Sequence, residues 1–190
     1  PAIIRKLLRE RSFWIMMVLF SFGVGGSMGV FNMLPLYLVA ECGLARAWAN
    51  SLLAVSRVSG LFMAFVSGAI TDRVGEKHAL MVFLAASGAA TLLLGLLGGT
   101  PLAILVLVQA ALAACFFPPA FAALSRIGEP SERNVVISGA VPLAYLLGGG
   151  AIPALVGYMG DHYTFAAGLA LIGALFLSGP VLVAFLKFRN

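Results

Sequence analysis

What this chain has least of is charge. Lysine, arginine, aspartate and glutamate together make up 10% of its 190 residues, against about 25% in soluble domains. With 62% of residues hydrophobic and a mean hydropathy of +1.06, a water-soluble fold does not fit. Cysteine is nearly missing too. Cys42 and Cys115 lie in or beside hydrophobic runs, without metal or redox spacing, and read as small packing residues. His78 and His162 fall at loops on opposite sides, and neither has the companions of a metal site. No nucleophile–base pair stands out. The Gly148–Gly150 run sits inside an apolar stretch and lacks the spacing of a phosphate loop. An enzyme, a cofactor and a metal centre are therefore not expected. The net charge of +5 would suit nucleic acid, but its distribution argues against that partner. No cleavage site follows a lone hydrophobic stretch, so a signal peptide does not explain the hydropathy. The chain begins at Pro1 and reads as a piece of something longer.

Six long apolar runs are present, at 13–39, 47–70, 79–98, 101–125, 135–158 and 164–186. Each is long enough to cross a hydrocarbon core of about 30 Å at about 1.5 Å per residue. They are too long, and too free of alternation, for barrel strands. The fold expected is an all-α membrane protein of six transmembrane helices. The bilayer is its first partner.

The loops set an orientation. Arg5, Lys6, Arg9, Arg11, Arg73, Lys77, Arg126, Arg133, Lys187 and Arg189 share one side if the helices alternate. Arg46 alone falls on the other, and Arg57 falls inside a helix. This places both termini in the cytoplasm, as in a multi-pass inner or plasma membrane protein. The short outer loops are 41–46, 98–100 and 160–163. Residues 1–12 set Arg5, Lys6, Arg9 and Arg11 against Ile3, Ile4, Leu7 and Leu8. They read as a basic amphipathic segment for an anionic leaflet, ahead of a membrane domain at 13–190.

One stretch breaks the apolar pattern. Residues 67–78 read SGAITDRVGEKH. A helix is expected to run into Gly68 and stop. Gly68 lies one turn before Asp72 and would let a neighbouring helix approach. Asp72 would pair with a cation or cap the next helix, and Gly75 would permit the turn. The spacing Gly68-x-x-x-Asp72-Arg73-x-Gly75-x-Lys77 resembles the loop signature of the major facilitator superfamily, with Glu76 where a basic residue is more usual. Gly157-x-x-x-Asp161 echoes its start at the end of the fifth run, on the opposite side. That is the mark of a three-plus-three inverted repeat.

The resemblance implies the C-terminal six-helix half of a secondary transporter. It implies twelve helices in two halves, a central site and rocking-type alternating access. The N-terminal half, or a second copy standing in for it, would be a partner. The first twelve residues would be the end of the linker between halves. The third and sixth runs, poor in polar residues, would be the outermost helices. Pro35, Pro142, Gly149 and Pro153 are candidate hinges, since proline removes a helix hydrogen bond and glycine loosens a turn. Close packing of small residues is the other explanation. Gly149→Leu is the substitution meant to separate the two.

Arg57 is the most informative residue. It lies about 22 Å before Asp72 by helical rise, it stays protonated, and no acid within the runs lies at its depth. Its partner is an anionic solute, a carboxylate from a missing half, or water and carbonyls. Asn32, Gln109 and Tyr145 are candidates to complete a polar site, each with an interhelical hydrogen bond as the alternative. Organic-anion carriers of the superfamily, monocarboxylate carriers among them, also place an arginine in the equivalent helix. Here it stands about two turns farther from the loop. Leu53, one turn earlier, is not an acid, so proton coupling through an adjacent carboxylate is not supported in this half, though a proton stays a candidate coupling ion. The function expected is carriage of a small organic anion. The alternatives are a sugar or drug carrier in which Arg57 is structural, and a six-helix scaffold that transports nothing.

Overall fold

The computed structural model describes residues 9–99, 101–127 and 133–186, with backbone alone at 133. The basic segment at 1–8, Thr100, Lys187 and Arg189 lie outside the described residues, as does the side chain of Arg133. Six helices are long and apolar enough to cross a membrane: α1 (Arg11–Glu41), α2 (Arg46–Val74), α3 (Glu76–Leu96), α4 (Leu102–Leu124), α5 (Asn134–His162) and α6 (Phe165–Ala184). No strand occurs among the described residues. In lipid every backbone N–H and C=O needs an internal partner, and a helix supplies it.

Helices α1, α2 and α5 outrun the expected boundaries while α4 and α6 fall a residue or two short, and for α2 the reason is local. A glycine in a membrane helix does not stop it, because no water competes for the freed backbone groups. Helix α2 passes through Gly68 and ends at Val74. Gly75 takes φ +82 and turns the chain, a conformation that costs glycine little. At Gly68 an added Cβ would meet nothing within 4 Å, so the close approach expected there does not occur within this chain.

The packing follows the three-plus-three repeat. Helix α2 of the first triplet packs on α4, the first helix of the second. Helix α5 packs likewise on α1, and the two third helices, α3 and α6, pack on each other. Helix α1 is the core of the bundle, with 78% of its apolar window buried, against 22% for α2 and 28% for α5. Phe20 of α1 sits edge-on to Phe116, Phe117 and Phe121 of α4. Helix α4 breaks at Phe116 and restarts with Pro118 and Pro119 in its first turn.

Two helices carry π-helical turns that the sequence reading missed. Helix α1 widens at Gly25–Gly29 and again at Tyr37–Glu41, and α5 widens at Leu147–Ala151. The two glycine turns meet where α1 and α5 cross. A Cβ on Gly29 would stand 2.6 Å from the Gly148 carbonyl oxygen. One on Gly148 would collide with the Ser21 carbonyl and stand 2.7 Å from the Gly25 nitrogen. At Gly149 it would meet only Val24 Cγ1, at an ordinary 3.8 Å. The small-residue contact thus belongs to Gly148, one residue before the expected position.

Helix α6 is held at both ends. At its start the Glu41 carboxylate accepts the backbone N–H groups of Phe165 and Ala166, and the Thr164 hydroxyl accepts that of Ala167. At its finish Lys77 Nζ donates to the Ala184 and Leu186 carbonyls, at 3.0 and 3.1 Å. An anion at the first turn and a cation at the last both match the helix dipole.

Candidate functional site

A cavity of about 440 Å³ opens between α1, α2 and α4. Helix α1 contributes Ser27 and Phe31, one turn apart. Helix α2 contributes Ser56, Arg57, Gly60, Leu61 and Ala64, and α4 contributes Gln109, Ala110, Ala114, Phe117, Pro118 and Phe121. The helices can gather here because their facing residues are small. A Cβ on Gly60 would stand 3.3 Å from the Ala110 oxygen and 3.4 Å from Ala114 Cβ. Ser56, Gly60 and Ala64 repeat at intervals of four, which lays one small-residue stripe along α2.

Arg57 is the cavity's cation. It lies within one turn of the midpoint of α2, and its side chain is exposed to the cavity. Its Cζ stands over the ring of Phe31, 3.5 Å from the centroid. So short a separation requires the guanidinium to lie flat on the ring, because a tilted one would drive a nitrogen into it. No acid faces Arg57 among the cavity residues. Stacking on an aromatic ring contributes about 0.5–2 kcal/mol. That falls short of the roughly 2.5–3.5 kcal/mol cost of a charge at mid-membrane. The difference is left for water or an anion to meet.

Gln109 forms the back of the cavity and is 1% exposed. Its amide donates to the Gly26 carbonyl at 2.9 Å, within the π turn of α1, and to Thr91 of α3 at 3.3 Å. Gln109 thereby ties α4 to α1 and α3, and its Oε1 has no protein partner. Ser56 donates its hydroxyl to the Leu53 carbonyl at 2.7 Å.

Of the four residues expected to form a polar site, the fold brings Arg57 and Gln109 together. Asn32 and Tyr145 do not line this cavity. Asn32 is one residue, about 100° of helix, past Phe31, and Tyr145 belongs to α5. Both are exposed. Sequence reasoning missed Phe31, Ser27, Phe117 and Phe121. The one-turn spacings Ser27–Phe31 and Phe117–Phe121 were the available signal. Of the hinge candidates, Pro35 lies between the two π turns of α1, Pro142 lies inside α5, and Gly149 and Pro153 lie in and just after its π turn.

At the end carrying residues 72–77, the loop is arranged differently from expectation. Asp72 lies in the last turn of α2, exposed, and α3 starts at Glu76 with no side-chain cap, so Asp72 does not cap it. Arg73 is exposed beside it. Glu76, the departure from the signature, pairs with Arg126 beyond α4 at 3.1 Å. Lys77 is the residue that reaches α6.

Comparison with known proteins agrees with this architecture. No curated protein matches the chain. Among solved structures, the E. coli fucose:proton symporter FucP superposes with a TM-score of 0.84 at 17% sequence identity. The match takes in 99% of this chain and 46% of that one, so the chain spans about half the length of that transporter. The family model described as Major Facilitator Superfamily matches residues 1–108 and 49–190, which together take in the whole sequence. By fold, helix order and family match, the chain belongs to the major facilitator superfamily.

Proposed function

We propose that this chain is the C-terminal half of a secondary transporter that carries a small organic anion, with Arg57 as the group that receives its charge. The observation that carries the reading is Arg57 itself. It is a permanent cation at mid-helix, open to a cavity, stacked on a neutral ring, and faced by no carboxylate among the described residues that line the cavity. Arginine's planar fork suits a carboxylate because it donates two parallel hydrogen bonds.

The remaining half of the pathway would come from an upstream six-helix unit or from a second copy. The scant burial of α2 and α5 supports such a neighbour. Residues 1–12 would be the linker that leads to it, and 13–190 the membrane domain. Arg73, Lys77 and Arg126 would face the cytoplasm, in line with the positive-inside rule. Transport would proceed by rocking around the cavity, with Asp72, Arg73, Gly75 and Lys77 at the moving loop, Gly68 toward the absent half, and a proton as candidate coupling ion. FucP carries a sugar. Its likeness to this chain is one of fold, and the cavity here has few groups for many hydroxyls.

The test is uptake by the full-length protein in proteoliposomes. Arg57→Gln is expected to abolish entry of carboxylates, and Arg57→Lys to cut it by at least about tenfold, because the bidentate fork is lost. Undiminished carboxylate entry in Arg57→Gln, or uptake of fucose alone, would overturn the reading. A protein that moves nothing would mark a scaffold.

A further inference from the structure

We infer that the solute is a monocarboxylate with a flat, apolar body, an arylcarboxylate in chemical class, and that Phe31 selects it by holding Arg57 in place. The inference rests on the anion reading above and deepens it.

Three features of the cavity point the same way. The first is charge. Arg57 is the single cation among the cavity's described residues and no acid accompanies it, so one negative charge balances this chain's share of the site. The second is how that cation is held. The ring of Phe31 occupies one face of the guanidinium at 3.5 Å. What remains open is the edge, where the N–H groups lie in the plane and where a carboxylate docks with both oxygens. Phe31 fixes that plane and touches the reacting charge from behind; it is a positioning residue. The third is the shortage of other donors. Gln109 spends its N–H groups on Gly26 and Thr91, and Ser56 spends its hydroxyl on Leu53. Ser27 is the remaining hydroxyl of the lining.

The walls are aromatic and smooth. Phe117 and Phe121 lie 29° from parallel, with centroids 6.5 Å apart, and Leu61 and Pro118 complete the apolar side. A polyhydroxylated solute would leave its hydroxyls without partners there, which is heavily penalised. A benzene ring would lose nothing by leaving water and would gain stacking contacts. The volume of about 440 Å³ falls within the usual range of small-ligand sites.

The experiment uses the full-length protein in proteoliposomes. Labelled benzoate competes with unlabelled acetate, phthalate (a dianion) and fucose. Benzoate is expected to have a KM at least about tenfold below that of acetate, the gain of burying a ring against aromatic walls. Phthalate and fucose should fail to compete. Phe31→Leu is expected to raise the benzoate KM several-fold with kcat little changed, and Phe31→Tyr, which keeps the ring, to restore it. Equal KM values for benzoate and acetate, both lost in Arg57→Gln, would overturn the arylcarboxylate inference and leave the anion reading standing. Benzoate uptake unaffected by Arg57→Gln would overturn both. Benzoate preference retained in Phe31→Leu would remove Phe31 from its role.

Discussion

At the scale of single residues, several described charges of this chain find protein partners, while Arg57 faces a cavity. Glu41 and Lys77 close the two ends of α6, and Glu76 answers Arg126. Arg57, at mid-helix, lies against the ring of Phe31, more closely than Arg11 lies over Phe185. The Glu76 pairing explains the departure from the family signature, since an acid there finds a basic residue at the end of α4. Its strength is small. Arg126 is 54% exposed and Glu76 22%, and exposed pairs contribute about 0–1 kcal/mol. Glu76→Lys is therefore expected to cost no more than about 1 kcal/mol of stability, read as a drop of a few degrees in detergent melting. Adding Arg126→Glu should return the melting temperature. A double variant that melts lower than either single one would show the pair does not exist.

At the scale of helices, much was readable in advance. Six apolar runs became six helices because length and hydropathy leave lipid no other solution. The mid-helix arginine and Gln109 were found on the walls of one cavity. What failed was local. Glycine often ends a helix in water, which points to Gly68 as the end of α2; in a membrane a glycine is tolerated, and the helix continues to Val74. The π turns at Gly25–Gly29 and Leu147–Ala151 arise from how α1 and α5 cross, a contact between residues more than 100 apart that no window of sequence contains. Helix membership groups Asn32 and Tyr145 with Arg57, but membership of a cavity is decided by which side of the helix a residue occupies. Phe31 is not legible in the sequence, because an aromatic residue in an apolar run carries no mark of its own.

The crossing of α1 and α5 yields a direct comparison. Gly148→Leu is expected to destabilise the protein by about 1–3 kcal/mol, the usual cost of overpacking, because backbone of α1 stands where its Cβ would go. Gly149→Leu meets an ordinary contact and should stay within about 1 kcal/mol of the parent. Thermal unfolding in detergent ranks the two. If Gly149→Leu keeps its stability yet loses transport, the pliability of that turn is what transport uses. If both variants melt alike, the crossing is looser than described.

At the scale of the whole molecule, the proposed orientation can be tested through Cys42. It lies just past the end of α1, at the end opposite residues 72–77, and is partly buried, whereas Cys115 is fully buried. Burial raises the Cys42 thiol above its ordinary value, and the neighbouring Glu41 carboxylate adds to this, while the Tyr37 hydroxyl offsets part of it. A raised value means less thiolate at any given pH, and thiolate is the species that reacts. An impermeant maleimide applied outside sealed cells is expected to label Cys42 slowly at pH 7.5 and faster as pH rises toward 9. Cys42→Ser should abolish the labelling. Modification only after the cells are opened would reverse the proposed sidedness.

The clasps on α6 have one more consequence. They grip opposite tips of a rod of 20 residues, about 30 Å apart, too far for either charge to feel the other through salt water. Energetically they are strangers, and losses at one should simply add to losses at the other. Mechanically they are not, because one spar joins them: whatever tugs the Glu41 tip is felt at Lys77, on the far side of the bilayer, inside the very loop that carries the family's signature.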